Sequence, residues 1–394
     1  MTAGIIAEYN PFHRGHAWHI ARTRAAGAGR VVVAMSGSTV QRGEFAVART
    51  AARARMALEN GADLVLLLPT PWSCARAQDF ARAGVHLLYS LGCVDAISFG
   101  SECGEVSLVR RAARALDGEA LISDMRRRIG EGCPFAQARQ EALAQADPQA
   151  AALLRSPNDT LAVEYLRAMA FLGAEMEPIA VPRKGTGHDQ LGGEDYPSAS
   201  ELRIILQDRG AADPKIAALP GAQILAEEIA QNRAPVDMQR LELAWLACLR
   251  SISSDGFARL PDISEGIEHL LLRAAREGTS LREVLAAATN RRYPTARVRR
   301  ILFHALLGTS AGDFASLPRF IMVLGCTAAG RDILRQAKET AALPIVTRQA
   351  DMKKLPAETR QQYALECRAA DLMALAMPVP QPCCMEERRQ PVVL

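Results

Sequence analysis

Nowhere in its 394 residues does this chain carry an uncharged apolar run near the roughly 18 residues that a membrane-crossing helix needs. The opening MTAGIIAEYN lacks the basic start of a secretory leader. Its apolar stretch is broken at Glu8, Tyr9 and Asn10, which reads as a buried strand. Charge of one sign is missing too: 47 Lys and Arg stand against 43 Asp and Glu, a net of +4, which neither requires nor excludes a nucleic acid partner. The nine cysteines (Cys74, Cys93, Cys103, Cys133, Cys248, Cys326, Cys367, Cys383, Cys384) form no CxxC pair and no Cys/His group with zinc spacing. They read as reduced thiols, and no residue is assigned as a metal ligand. Cys383 and Cys384 sit in a tail rich in proline and charge, expected to be a disordered end. Together these absences predict a soluble, cytoplasmic protein with no membrane partner.

What is present is length and alternation. At 49% hydrophobic residues the chain can bury two or three packed units. Short, nearly all-apolar strands are expected at 4–9, 31–35, 64–68, 96–99 and 179–181. Helical patterns fall between them at 15–26, 50–60, 78–91 and 105–116, several ending at glycine (Gly27, Gly61, Gly92). Strands of this kind are covered by helices on both faces, so residues 1–205 are expected to form a Rossmann-like, doubly wound parallel α/β domain, interrupted by a helical insertion at about 121–172. Residues 206–394 read as a mostly helical domain, with one short strand expected near 343–347.

The chemistry concentrates after the first strand, where Asn10, Pro11 and Phe12 lead into His13-Arg14-Gly15-His16. Ligands of an open parallel sheet gather at the carboxyl ends of its strands, and the next helix offers unpaired N–H groups and a positive dipole end to an anion. Gly15 allows close backbone approach, and two imidazoles three residues apart face one side of the first turn. Aimed at a triphosphate, they can donate to the α-phosphate and to departing pyrophosphate as charge builds in an in-line displacement. The plainer alternative has one histidine capping the helix and the other packing on the sheet.

These residues resemble a known family. The HxGH element marks the nucleotidyltransferase superfamily. Glu8 to His16 (EYNPFHRGH), Met35 to Glu44 (MSGSTVQRGE) and Phe99 to Glu102 (FGSE) are similar to the bacterial tRNA(Met) cytidine acetate ligases. The likeness continues through Ser156-Pro157-Asn158, Arg183 with Gly187-His188-Asp189, the block Ser198 to Arg203, Arg292-Tyr293, Arg319 to Gly325, and Leu343-Pro344-Ile345.

It implies an ATP-dependent ligase that activates acetate as acetyl-adenylate and passes acetyl to the exocyclic amine (N4) of the wobble cytidine of elongator tRNA(Met), with Mg2+ accompanying ATP. It assigns catalysis to His13 and His16. It assigns nucleotide binding to Ala7, Glu8, Tyr9, Asn10, Pro11, Phe12, His13, Arg14, Gly15, His16, Ala17, Trp18, His19 and Ile20, joined by Gly100, Asn158 and Arg183. Ser198, Ser200 and Arg203 would form a second phosphate cradle. Gln41 to Glu44 lie in the loop after the second strand, as a substrate loop or as a hydrated turn.

The chain departs from the family at Arg14, where asparagine is usual, and at Arg49-Thr50, where an acidic-lysine pair is often seen. If that lysine contacts phosphate or tRNA in relatives, Arg49 or Arg53 must substitute for it or the function is altered. Contacts to RNA are expected from Arg126-Arg127-Arg128 and from Arg291, Arg292, Arg297, Arg299 and Arg300 around Tyr293, an aromatic placed to stack on an unpaired base. Two other readings stay open: an adenylyltransferase making a small product, and a non-catalytic RNA-binding protein with a relic nucleotide site.

Overall fold

The computed structural model describes residues 1–182, 197–264 and 266–394. Arg183 and the segment Gly187-His188-Asp189 lie outside the described residues. Strands β1 (Thr2–Ala7), β2 (Arg30–Ser36), β5 (Leu64–Leu68), β6 (Ala96–Ser101) and β7 (Glu177–Pro182) are the five expected ones, and every adjacent pair among them runs parallel in the order β5-β2-β1-β6-β7. A small antiparallel hairpin, β3 (Thr39–Val40) with β4 (Glu44–Phe45), stands apart on the loop after β2.

The side-chain period of two explains why these strands are apolar throughout. Val31, Val33 and Met35 pack under helices on one face, while Val32 and Ala34 pack on the other, and all five are fully buried. Helices α1 (Arg14–Ala25) and α2 (Thr50–Glu59) pack on the first face. Helices α3 (Ala77–Ser90), α4 (Val106–Leu116) and α8 (Pro157–Leu172) cover the second. The segment expected as an insertion, about 121–172, is helical throughout; α5 (Glu119–Gly130), α6 (Phe135–Ala146) and α7 (Pro148–Leu153) are anchored by Leu121, Leu143, Ala150 and Leu153, while α8, expected within it, packs on the sheet. After β7, helix α9 (Ala199–Arg209) begins at Ser198, whose hydroxyl accepts the Glu201 N–H.

The helices of the second half gather around Trp245, Phe257, Leu271 and Phe303, as their helical spacing predicted. Two features there differ from expectation. Ile321–Cys326, a run of six buried residues, is strand β8 and joins the main sheet antiparallel to β5, so the sheet draws on both sides of residue 205. Its signal was a short apolar run bounded by Pro318 and Gly325, a pattern that periodicity alone cannot separate from buried helix.

The tail is also ordered, against the expectation of a disordered end. β10 (Val392–Val393) pairs with β8, while the short strand expected near 343–347 is β9 (Ile345–Val346), which pairs with the other end of β8. Glu386 is 7% exposed and bridges Arg389 at 2.7 Å, whose guanidinium donates to the Val323 carbonyl at 3.3 Å. Proline and charge suggested solvation, yet Glu386 and Arg389 are paired and buried.

Arg53, fully buried in α2, ties the carboxyl ends of two central strands together. Its guanidinium donates to the carbonyls of Glu8 at 2.6 Å, Ser36 and Ala48 at 3.0 Å, and Gly37. Glu366, also fully buried, accepts the N–H of Ser38 at 2.6 Å and of Thr70 at 2.8 Å beside it. Burial lowers the guanidinium to about 10, partly offset by Glu366, Glu8 and Glu386, so it stays charged at neutral pH. Arg53→Met leaves buried carbonyls without donors and is expected to cost about 3 kcal/mol. Urea unfolding checks this, and a midpoint matching that of the parent contradicts it.

Candidate functional site

The strand order puts the topological switch between β1 and β6, because the chain leaves β1 for β2 and β5 on one side and resumes with β6 and β7 on the other. The crevice at the carboxyl ends of β1 and β6 is where such sheets bind ligands. Three features meet there: the turn Glu8 to Phe12, the first turn of α1, and Gly100 near the end of β6.

His13 is the cap of α1, and the two histidines cap it reciprocally. The Gly15 N–H donates to His13 Nδ1 at 3.1 Å, and the His13 N–H donates to His16 Nδ1 at 3.2 Å. The rings stack with centroids 3.7 Å apart. His16 is further held against the rings of Tyr9 (4.8 Å) and Phe12 (5.5 Å), both buried. An Nδ1 that accepts carries no proton, so each neutral ring carries it on Nε2. The capping alternative and the donor reading therefore describe one arrangement, in which capping selects the donor tautomer. Gly15 serves the ring directly: a Cβ there would lie 2.9 Å from His13 Cε1.

The start of α9 lies across from this turn. Arg203 donates to the Asn10 carbonyl at 2.9 Å and approaches Ser200 Oγ at 3.4 Å and Glu44 at 3.2 Å. Arg42, from the loop after β2, reaches the same Ser200 hydroxyl at 2.7 Å. The loop is tied to β1 by the Gln41 N–H on the Glu8 carboxylate at 2.7 Å. Burial raises the Glu8 carboxyl, with Glu44 adding to the shift and Arg203 and Arg42 opposing it. Ser200 and Arg203 are thus brought beside Asn10, together with two residues, Arg42 and Glu44, whose part was not separable from that of a hydrated loop, while the Ser198 hydroxyl caps α9.

The other expected residues divide. Asn10 is buried, its Oδ1 accepting the Val47 N–H at 2.7 Å, and Pro11 follows it through a cis peptide bond. Asn158 lies in the first turn of α8 at the end of β6, where its Nδ2 donates to Glu102 at 2.6 Å. The same Glu102 accepts the Asp159 N–H at 3.0 Å, and Asp159 in turn accepts from Ser101 Oγ at 2.5 Å. The Phe99 to Glu102 and Ser156 to Asn158 blocks are therefore two halves of one lock.

Of the α1 residues, His19 bonds Ser98 Oγ at 2.9 Å and Trp18 reaches the Pro182 carbonyl at 3.5 Å. Ile20 is in the core, Arg14 is exposed and Ala17 half-buried. His19 and Ile20 thus hold the helix on the sheet.

Neither expected lysine substitute is available. Arg49 is bidentate to Glu228 at 2.6 and 2.7 Å, and Arg53 is consumed by backbone carbonyls. Among the expected RNA contacts, Tyr293 is 7% exposed and flanked by the guanidinium groups of Arg297 and Arg292, so its ring face is not presented for stacking. Arg297 and Arg300 are bound to Asp262. Arg127 and Arg128 pair with Asp124, and Arg291 reaches Gln137 of the insertion at 3.3 Å. Arg128, Arg291 and Arg292 line a cavity of about 380 Å³ between the insertion and the helical half. Arg299, 38% exposed at its side chain, points to Glu44 at 3.8 Å.

Fold and first turn together give a doubly wound sheet whose switch point carries a stacked, reciprocally capping histidine pair at a helix start. Comparison with known proteins agrees. The HIGH Nucleotidyl Transferase family model matches residues 1–388. The tRNA(Met) cytidine acetate ligase of Syntrophomonas wolfei is 33% identical, covering 96% of this chain and 95% of its own, and that of Halothermothrix orenii is 33% identical over 87% and 86%. Thermotoga maritima TmcAL bound with alpha-thio ATP superposes with a TM-score of 0.93 at 27% identity, covering 100% of this chain and 99% of that one. The chain belongs to the HIGH nucleotidyl transferase family, among the tRNA(Met) cytidine acetate ligases. No helix among the described residues is long and apolar enough to cross a membrane.

The Glu102–Asn158 contact makes a testable point. Asn158→Asp sets a second carboxylate against Glu102, raising the pair's folded-state affinity for a proton above that of the unfolded chain. The folded variant then binds a proton the unfolded chain lacks, so its stability relative to the parent falls as pH rises from about 4 to 7. Thermal melts across that range check it, and a pH-independent difference contradicts it.

Proposed function

We propose that this chain joins acetate to ATP and passes the acetyl group to N4 of the wobble cytidine of elongator tRNA(Met), leaving N4-acetylcytidine, AMP and pyrophosphate. The reading rests on the names of its relatives, on the ATP analogue held by the Thermotoga maritima protein, and above all on one observation: the stacked His13–His16 pair, both Nδ1 atoms committed to backbone N–H groups.

An acetate oxygen attacks the α-phosphorus, and the bond to the pyrophosphate oxygen breaks. Nε2–H groups at the start of α1 meet the charge that grows on the α-phosphate and the leaving group, reinforced by the helix dipole. Arg203, Ser198, Ser200 and Arg42 hold the outer phosphates, where the fork of an arginine suits phosphate oxygens. Residues Ala7 to His16 line the nucleotide on the β1 side, with Gly100 and Asn158 opposite. N4 of the cytidine then attacks the acetyl carbonyl, the bond from that carbon to the AMP oxygen breaks, AMP departs, and the N4 proton is released to solvent. The base must be splayed from its neighbours to reach the site, which costs little for an unpaired anticodon position.

The described residues hold no cluster of three metal-binding side chains. Glu8 is engaged by the Gln41 N–H and Glu44 by arginine, so these two carboxylates form no preformed cage for Mg2+ among the described residues. Magnesium belongs to the substrate as the MgATP complex, held by phosphates and water.

His16→Ala is expected to lower acetate-dependent exchange of labelled pyrophosphate into ATP about 100-fold. His13→Ala should lower it similarly and also cost about 1 kcal/mol of stability through the lost cap. Exchange that persists in folded His16→Ala removes the pair from catalysis. Wild-type exchange that needs a phosphorylated cofactor precursor instead of acetate points to a small-molecule adenylyltransferase.

A further inference from the structure

Glu44 stands between two parts of the molecule. One carboxylate oxygen lies 3.2 Å from Arg203 at the α9 cradle, and the other lies 3.8 Å from Arg299 on the helix Thr295–Leu307 of the helical half. The two contacts are charge contacts without hydrogen-bond geometry, and Glu44 Oε1 and Arg299 Nε are both buried without a hydrogen-bond partner. Native structures rarely leave such atoms unmatched, so these are held loosely for their burial.

The backbone around Glu44 is tight by contrast. Gly43 has a positive φ of 74°, and a Cβ there would lie 2.9 Å from the Arg300 backbone, so the loop after β2 rests directly on that helix. The neighbours of Arg299 are spoken for: Arg297 and Arg300 are anchored on Asp262. Arg299 is therefore an arginine of this helix that faces the cradle with its side chain 38% exposed.

We propose that Glu44, by sharing its carboxylate between Arg203 and Arg299, couples RNA binding on the helical half negatively to polyphosphate binding in the cradle. This rests on the function proposed above. An RNA phosphate that draws Arg299 outwards takes a positive charge from the cradle's surroundings and leaves Glu44 wholly to Arg203. Both changes reduce the cation available to a bound pyrophosphate. Arrival of the tRNA then loosens pyrophosphate and commits the acetyl-adenylate to transfer. Binding linkage is reciprocal, so pyrophosphate must weaken RNA binding by the same factor.

The test is calorimetric binding of magnesium pyrophosphate to the full chain with and without saturating transcribed elongator tRNA(Met), which needs no turnover. The wild type is expected to bind pyrophosphate at least about 5-fold more weakly with tRNA present. Arg299→Gln and Glu44→Gln are each expected to bring that ratio close to one while melting as the wild type does; Arg299→Gln also binds tRNA more weakly through its lost phosphate contact, so its tRNA is raised to saturation before pyrophosphate is titrated. A residue that merely supports the fold would shift both affinities without changing their ratio. An unchanged ratio in either folded variant, or a wild-type ratio of one, overturns the proposal. A wild type that is coupled but shows no acetate-dependent exchange keeps the coupling and sinks the function; the opposite result does the reverse.

Discussion

Two backbone N–H groups at the start of α1, those of His13 and Gly15, shape the rest of the site. A helix start must find acceptors for its first N–H groups, and here the acceptors are imidazole nitrogens in place of the usual hydroxyl or carboxylate. That choice fixes the tautomer of both rings, stacks them, and directs their protonated edges away from the peptide. The requirement for Gly15 follows, since a Cβ would displace the His13 ring, and so does the buried aromatic support from Tyr9 and Phe12.

Around this turn the fold is built to hold loop ends still. Arg53 gathers the carbonyls at the ends of β1 and β2, Glu366 gathers the N–H groups of Ser38 and Thr70, and the Glu102–Asn158 lock closes the end of β6. Each is a charged or polar side chain satisfied by backbone or by a reciprocal partner, which is the condition for burying it. A transfer site gains from such rigidity because donors aimed in advance need no rearrangement when charge develops. The looser Glu44 contacts stand out against that background.

Much of this was legible in the sequence. The five parallel strands and the first helices showed themselves as apolar runs and glycine stops, and the His13 to His16 turn was marked by its place after the first strand. The insertion was legible because strand signal vanished there. Three things were hidden. β8 looked like any short apolar run, and only its pairing with β5 distinguishes it. The tail's order depends on Glu386 and Arg389 being buried together, which composition cannot report. Tyr293 stood among arginines in the sequence, as a stacking residue would, yet the guanidinium groups cover its ring, so proximity in sequence misled about exposure. Arg49 and Arg53, chosen by position, were already committed to Glu228 and to carbonyls.

The measurement that bears most directly on the central claim is nucleoside analysis of elongator tRNA(Met) transcript incubated with the purified chain, ATP, magnesium and labelled acetate. The account predicts label in N4-acetylcytidine at the wobble position, dependent on ATP and absent with His16→Ala. Unlabelled tRNA from a folded, ATP-binding wild type would contradict it.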